Sequence, residues 1–229
     1  MIDSVLRILA RTFLAGQWAA LRAEVYRRRA VSPHVPHLTP PVIMQRLLVS
    51  GEDHRHGSHG GFDLYAICRA VWRRVVYKRR EGASTIEQQI VRVLTNRFER
   101  TLSRKVHEIL LATLLSEVLP KRDMPRFYLA IGYFGWRMNG FEEACRTLGL
   151  CPESISLDIA AELVARLKYP QPRFPVDRRV SEIRRRREHL KMLYRKHISN
   201  GTYAHINEDP LNGTSRSRDG ASEFSCPLP

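Results

Sequence analysis

Two glutamates, Glu52 and Glu108, stand among residues that could put a carboxylate to chemical use. A carboxylate such as Glu52 can take a proton from a hydroxyl as that hydroxyl attacks, provided burial or a neighbouring acid lifts its pKa toward the working pH. Asp53 is such a neighbour. Glu108 ends the run Arg104-Lys105-Val106-His107-Glu108. On a helix, Arg104 lies one turn from Glu108 and Lys105 sits beside it at i+3, so all three can face one cleft. Two cations there suit a pyrophosphate leaving group: Arg offers a planar fork of donors and Lys a compact charge. Gln88, Gln89 and Arg92 form a second set within about one helical turn, neutral hydrogen-bonding groups plus a cation, suited to sugar amides or phosphates.

Each group also has an ordinary reading. An Arg104–Glu108 pair on a helix surface is worth only about 0.3–0.5 kcal/mol and by itself signifies nothing more. Ser84-Thr85 serves by default as a helix cap, with Gln88 and Gln89 on the surface. His54, His56 and His59 crowd one loop, but no fourth metal ligand is evident beside them.

The elements that must position these residues read as helices. Val42 to about Leu48 starts one, and a Gly- and His-rich loop runs from Gly51 to Gly61. Phe62 to Tyr77 has Leu64, Ile67, Cys68, Val71, Val75 and Val76 near a 3.6-residue period, with Arg69, Arg73 and Arg74 on other faces. After the turn at Glu81-Gly82, a helix capped by Ser84 or Thr85 runs to about Val93. Lys105 to Leu119 follows, with Val106, Ile109, Leu110, Thr113, Leu114 and Val118 inward, and Pro120 ends it. Arg122 to Phe134, Gly140 to Thr147 and Leu157 to Leu167 read as further helices, and nothing from residue 42 to 170 alternates clearly with period two. The fold is therefore expected to be mostly α. Its expected divisions are an amphipathic N-terminal helix with a Pro-containing linker (1–39), a catalytic domain (40–175), a basic helix (176–198) and a disordered polar tail (199–229).

The chain has 229 residues, 43% of them hydrophobic, enough for one sizeable core. Its 38 Lys and Arg against 23 Asp and Glu give a net charge of +15, which calls for a polyanionic partner: nucleic acid, an anionic membrane surface or a phosphorylated substrate. Four scattered cysteines, Cys68, Cys145, Cys151 and Cys226, form no CxxC pair and argue against a zinc or disulfide framework. Near the N-terminus Ile2, Val5, Leu6, Leu9 and Phe13 share one helical face. The uncharged window Thr12 to Leu21 is shorter than the roughly 20 apolar residues a bilayer requires, and no secretory cleavage pattern is recognised. That segment either lies on an anionic membrane surface or packs on the domain.

Four segments together resemble the glycosyltransferase family 51 domain of monofunctional peptidoglycan glycosyltransferases and class A penicillin-binding proteins. They are Glu52-Asp53-His54-Arg55-His56-Gly57-Ser58-His59-Gly60, Gly82-Ala83-Ser84-Thr85-Ile86-Glu87-Gln88-Gln89, Arg104-Lys105-Val106-His107-Glu108, and Phe127-Tyr128-Leu129-Ala130 followed by Phe134-Gly135 and Gly140. Their joint order, over roughly Pro40 to Pro175, carries the resemblance. It implies a lysozyme-like fold with head and jaw lobes. It implies an inverting transfer in which lipid II is polymerised into β-1,4-linked glycan with release of undecaprenyl pyrophosphate. Glu52 would be the general base on the acceptor 4-hydroxyl and Glu108 the second catalytic carboxylate. Asp53, His59, Ser84, Thr85, Gln88, Gln89, Arg92, Arg104 and Lys105 would bind substrate. No certain cofactor is implied, although a divalent cation, Mg or Mn, is compatible with the family. The implied partners are lipid II, the growing strand, the anionic membrane surface and other cell-wall synthesis proteins; the implied address is peripheral, on the outer face of the bacterial cytoplasmic membrane.

The sequence departs from the family pattern at His56 for Phe, Glu87 for Thr, Arg92 for Lys, Arg126 for Glu and Ala130 for Asn. Glu87 adds an acid near the phosphate-binding set. Three competing readings follow: a non-catalytic descendant that binds lipid II, glycan or a cell-wall partner; nucleic-acid binding through Arg184 to Arg187, which lacks interleaved aromatics; and glycan hydrolysis by two carboxylates with room for water.

Overall fold

The computed structural model describes residues 2–31, 39–78, 82–174 and 176–206. Pro33 and Pro36 of the expected linker, Glu81 of the expected turn, Cys226 and the tail from residue 207 lie outside the described residues. Among the described residues there are ten α-helices and one two-stranded hairpin.

The N-terminal segment forms α1 (Ile2–Phe13) and α2 (Ala15–Val31), bent at Leu14. The segment packs on the body, yet the apolar face read from the sequence stays open at Val5, Leu9 and Phe13, so both readings describe part of it. Ala10, Leu14, Trp18, Leu21 and Val25 are buried, α1 lies on α6 (Leu102–Leu114), and Arg11 pairs with Glu117 at 2.8 Å. The body is built from α3 (Val42–Glu52), α5 (Ile86–Leu94), α6, α7 (Met124–Ile131), α9 (Leu157–Lys168) and α10 (Asp177–Ile198). Both α9 and α10 pack on α3, and α5 packs on α6 and α7. Ala160, Ala161, Leu163, Val164 and Ala165 make α9 the small-residue centre of this core.

Four local differences from the sequence reading have physical causes. Of the positions expected inward, Thr113, Leu114 and Val118 are buried, but Val106 is 54% exposed, and Glu108, Leu111 and Ala112 are buried on α6 as well. The segment read as helix to Phe134 stops at Ile131 and turns into β1 (Tyr133–Gly135) and β2 (Met138–Asn139), with Arg137 at φ 58° in the reversal before α8 (Phe141–Leu148). Residues 199–206, expected to begin a disordered tail, form turns in which Tyr203 and Ile206 are buried, and the Tyr203 hydroxyl meets Ser50 at 2.5 Å. The fourth is α4 (Leu64–Tyr77): it forms where the periodicity places it, capped by Asp63, yet buries no side chain, and Trp72 and Val75 are 54% and 75% exposed. Leu64, Val71, Val75 and Val76 of its apolar stripe are all exposed.

Candidate active site

Helix α3 delivers Glu52 at its last turn. The Glu52 carboxylate stands between two donors from distant segments: Arg186 Nη2 at 2.9 Å on Oε1 and Gln89 Nε2 at 3.4 Å on Oε2. Arg186 also donates to the Gly51 carbonyl at 2.7 Å. This contact needs a glycine, because a Cβ at Gly51 would sit 2.3 Å from Leu190 Cδ2 and 2.9 Å from Arg186 Nη2. The close crossing of α10 over α3 thus brings the guanidinium to the carboxylate. Tyr128 is near enough that burial, and then the Glu52 charge, push its hydroxyl pKa up.

Glu108 sits on α6, 3% exposed, with three cations on its two oxygens. Arg92 is bidentate, Nε to Oε2 at 2.9 Å and Nη2 to Oε1 at 3.0 Å; Lys105 Nζ reaches Oε1 at 2.8 Å; Arg104 Nη1 bonds Oε2. Burial alone would raise the Glu108 pKa, but the hydrogen bonds from Arg92 and Lys105 outweigh it and leave the carboxyl below its ordinary value. The half-buried Lys105 is lowered by desolvation, partly offset by Glu108, and its ammonium also holds Ser84 Oγ at 2.9 Å and the Gln88 side-chain oxygen. This is a buried carboxylate under three partly exposed cations rather than a surface pair. A cleft of about 350 Å³ opens on it, walled by Arg92, Arg104, His107 and Glu108 and closed on one side by Gln17 and Leu21 of α2.

Helix α5 connects the two carboxylates: Gln89 touches Glu52 and Arg92, one turn on, touches Glu108. Thr85 caps α5, accepting from Gln88 N at 3.3 Å and donating to the Gly61 carbonyl at 2.8 Å, as its default reading has it. Gly61, at φ 113°, approaches α6 so closely that a Cβ would lie 2.4 Å from the Ala112 carbonyl oxygen. Asp53 and His59 form a buried layer with Thr85 instead of joining the cation cluster. His59 Nε2 lies 3.0 Å from both Asp53 oxygens, and Asp53 Oδ2 accepts from Ile86 N at 3.2 Å. The acid beside Glu52 is therefore committed to fixing the loop and the start of α5.

Sequence reasoning missed Arg186, which it placed outside the catalytic domain. Ile183, Arg186, Leu190 and His197 are the buried positions of α10, so the available signal was an arginine within the inward stripe. It also missed Lys121, which bonds Glu87 and donates to the His59 carbonyl at 2.8 Å. The departures His56 and Glu87 are neighbours, with Nε2 and Oε1 3.7 Å apart, and burial, then Lys121, push His56 far down, leaving a neutral ring. A Mg or Mn ion does not fit at Glu108, whose oxygens are already occupied by Arg92, Arg104 and Lys105.

A mostly α, lysozyme-like body with paired carboxylates on either side of one helix defines the class, and the comparison with known families agrees: residues 21–194 match the family described as Transglycosylase, and the chain belongs to that family. It is 32% identical over 158 residues to a biosynthetic peptidoglycan transglycosylase of Nitrosospira multiformis, covering 68% of this chain and 64% of that protein. It is 27% identical over 194 residues to penicillin-binding protein 1A of Rickettsia bellii, covering 81% and 24% of the two chains. The chain thus spans less than two thirds of the length of either relative.

Proposed function

We propose that this chain is a peptidoglycan glycosyltransferase that joins lipid II into β-1,4-linked glycan and releases undecaprenyl pyrophosphate. The observation that carries the reading is the arrangement around α5: one carboxylate at the end of α3 held by a single cation and one amide, the other buried beneath three cations. In this reading Glu52 Oε accepts the proton of the acceptor 4-hydroxyl as its oxygen attacks the donor anomeric carbon. The anomeric carbon–pyrophosphate bond breaks, and the negative charge gathering on the leaving group falls to Arg92, Arg104 and Lys105. Glu108, held ionised, is the anchor that keeps these cations together in a shielded place and is not the proton donor. Ser84 and Gln88 fix the Lys105 ammonium from the other side.

A lipid-linked substrate requires a membrane surface. No described helix is long and apolar enough to cross a bilayer. The uncovered face of α4, with Arg69, Arg73 and Arg74 alongside, and the exposed Ile8 and Phe13 of α1 support peripheral attachment to an anionic membrane, at the outer face where the substrate is polymerised. Incubation with lipid II in detergent, followed by gel separation of the products, tests the activity: a ladder of glycan strands is expected, and its absence at every detergent and metal condition contradicts the enzyme reading.

A further inference from the structure

We infer that the turns after α10, residues 199–206, act with His197 as a clamp that positions the carboxylate of Glu52, with Tyr203 and His205 as positioning residues. This role rests on Glu52 being the base proposed above. The clamp residues follow the segment matched to the family, which ends at residue 194. The Glu52 carboxylate itself bonds Arg186 and Gln89, so the clamp acts through the neighbours of Glu52 in the chain. Before Glu52, the buried Ser50 hydroxyl meets the Tyr203 hydroxyl at 2.5 Å and His197 Nδ1 at 3.1 Å. After it, His205 Nε2 lies 2.8 Å from His56 Nδ1, and His197 stacks on His54 with ring centroids 5.7 Å apart and planes 16° from parallel.

The fit is close on both sides. Tyr203 and Ile206 are buried although the segment that carries them is polar, and His56 is fully buried. A Cβ at Gly57 would sit 2.9 Å from His205 Nδ1 and 3.3 Å from His205 Cγ, so the loop admits the ring only because a glycine stands there. The Tyr203 ring also faces Arg46 of α3, its centroid 5.7 Å from the guanidinium carbon. Burial above all holds His54, His197 and His205 below the ordinary histidine pKa, so these contacts join neutral rings.

The place of Glu52 in the chain explains the need. It is the last residue of α3, and the loop beyond it contains Gly57, Gly60 and Gly61, whose backbones lose the most freedom on ordering. Helix ends and loops open locally at far lower cost than a helix interior, where Glu108 sits. A catalytic group misplaced by about 1 Å can lose roughly 10²-fold in rate. Arg186 bonds the Gly51 carbonyl and one Glu52 oxygen. With the clamp, Ser50, Gly51, Glu52, His54 and His56 are all held by one continuous segment, α10 and the turns that follow it.

The test compares Tyr203→Phe, Ser50→Ala and their double variant, each in the full chain, with wild type. It reads lipid II kinetics and hydrogen exchange at the amides of Asp53 and His56, which bond Val49 O and Asp53 O. Each single variant removes one hydroxyl and is expected to lower kcat about three- to tenfold with KM within about twofold. Exchange should quicken at those two amides while the amides of α6 around Glu108 keep wild-type protection. Because both variants break one contact, the double variant should lose about as much as the worse single one. Circular dichroism checks folding, and Ser50→Ala alone carries the test if Tyr203→Phe does not fold. The clamp is overturned by a folded variant with kcat within about twofold of wild type, by unchanged exchange at Asp53 and His56, by single losses that multiply in the double variant, or by exchange that rises equally throughout the body, the mark of a merely structural role. A wild type that makes no glycan refutes Glu52 as the base instead, and exchange at Asp53 and His56 then decides the clamp.

Discussion

The two carboxylates differ in their surroundings in the way that the proposed roles of base and anchor require. Glu52 ends a helix, keeps a fifth of its side chain exposed and meets one guanidinium and one amide. Glu108 lies mid-helix, 2% exposed in its side chain, and is saturated by Arg92, Arg104 and Lys105. A carboxylate with few partners and access to solvent can accept a proton; one saturated by cations cannot, but it can keep those cations assembled where repulsion would scatter them. A pair of acids in a cleft therefore does not imply a pair of acid–base catalysts.

Among the groups that surround the two carboxylates, the largest expected effect comes from emptying the anchor side of its charge. Arg104→Ala combined with Lys105→Ala should lower lipid II turnover by about 10²–10³-fold, the scale of removing preorganised electrostatic stabilisation. Turnover within threefold of wild type would remove the leaving-group role. Next in size, Arg186→Ala takes away the charged contact to Glu52 and the bond to Gly51 O; hydrogen bonds to charged groups are worth about 1.5–3 kcal/mol, so kcat should fall about tenfold or more with KM little changed. A change confined to KM would make Arg186 a substrate contact instead.

Smaller still is a pH effect specific to the anchor. The folded-state pKa of Glu108 lies below its unfolded value of 4.5, so its stabilisation is complete above that value and is lost as pH falls through the lower folded one. The difference in melting midpoint between wild type and Glu108→Gln should be largest near neutrality and shrink at acid pH; a gap that does not vary with pH contradicts the ionised anchor. The smallest effect on stability belongs to α4, where Val75→Asp, at an exposed position, should change folding by no more than about 0.5 kcal/mol. The same variant should float less well with anionic vesicles, and unchanged flotation would move membrane attachment elsewhere.

What could be read in the sequence follows the range of the interaction. Arg104, Lys105 and Glu108 are legible because helical spacing alone brings them together, and Thr85 because a cap is a local device. Arg92 joins them across 16 residues, where its helix phase but not its target could be read. The Arg186–Glu52 contact spans 134 residues and depends on Gly51 admitting α10, which no local pattern encodes. Periodicity places α4 but cannot say that its apolar face stays uncovered. On α6 it places Thr113 and Leu114 inward correctly but fails at Val106, where burying Glu108 among cations takes the inward position of the first turns. The tail reading failed at Tyr203 and His205 for the same reason as Arg186: polar composition describes the segment, while the partners Ser50 and His56 lie about 150 residues earlier.

The division of labour is tested most directly by measuring lipid II turnover and lipid II affinity on one preparation of Glu52→Gln. Replacing a base by its amide changes shape little, so the account predicts turnover reduced by about 10²–10⁴-fold while affinity stays within threefold of wild type, because the cations around Glu108 are untouched. Undiminished turnover, or an affinity that collapses together with it, would contradict the assignment of Glu52 as the base.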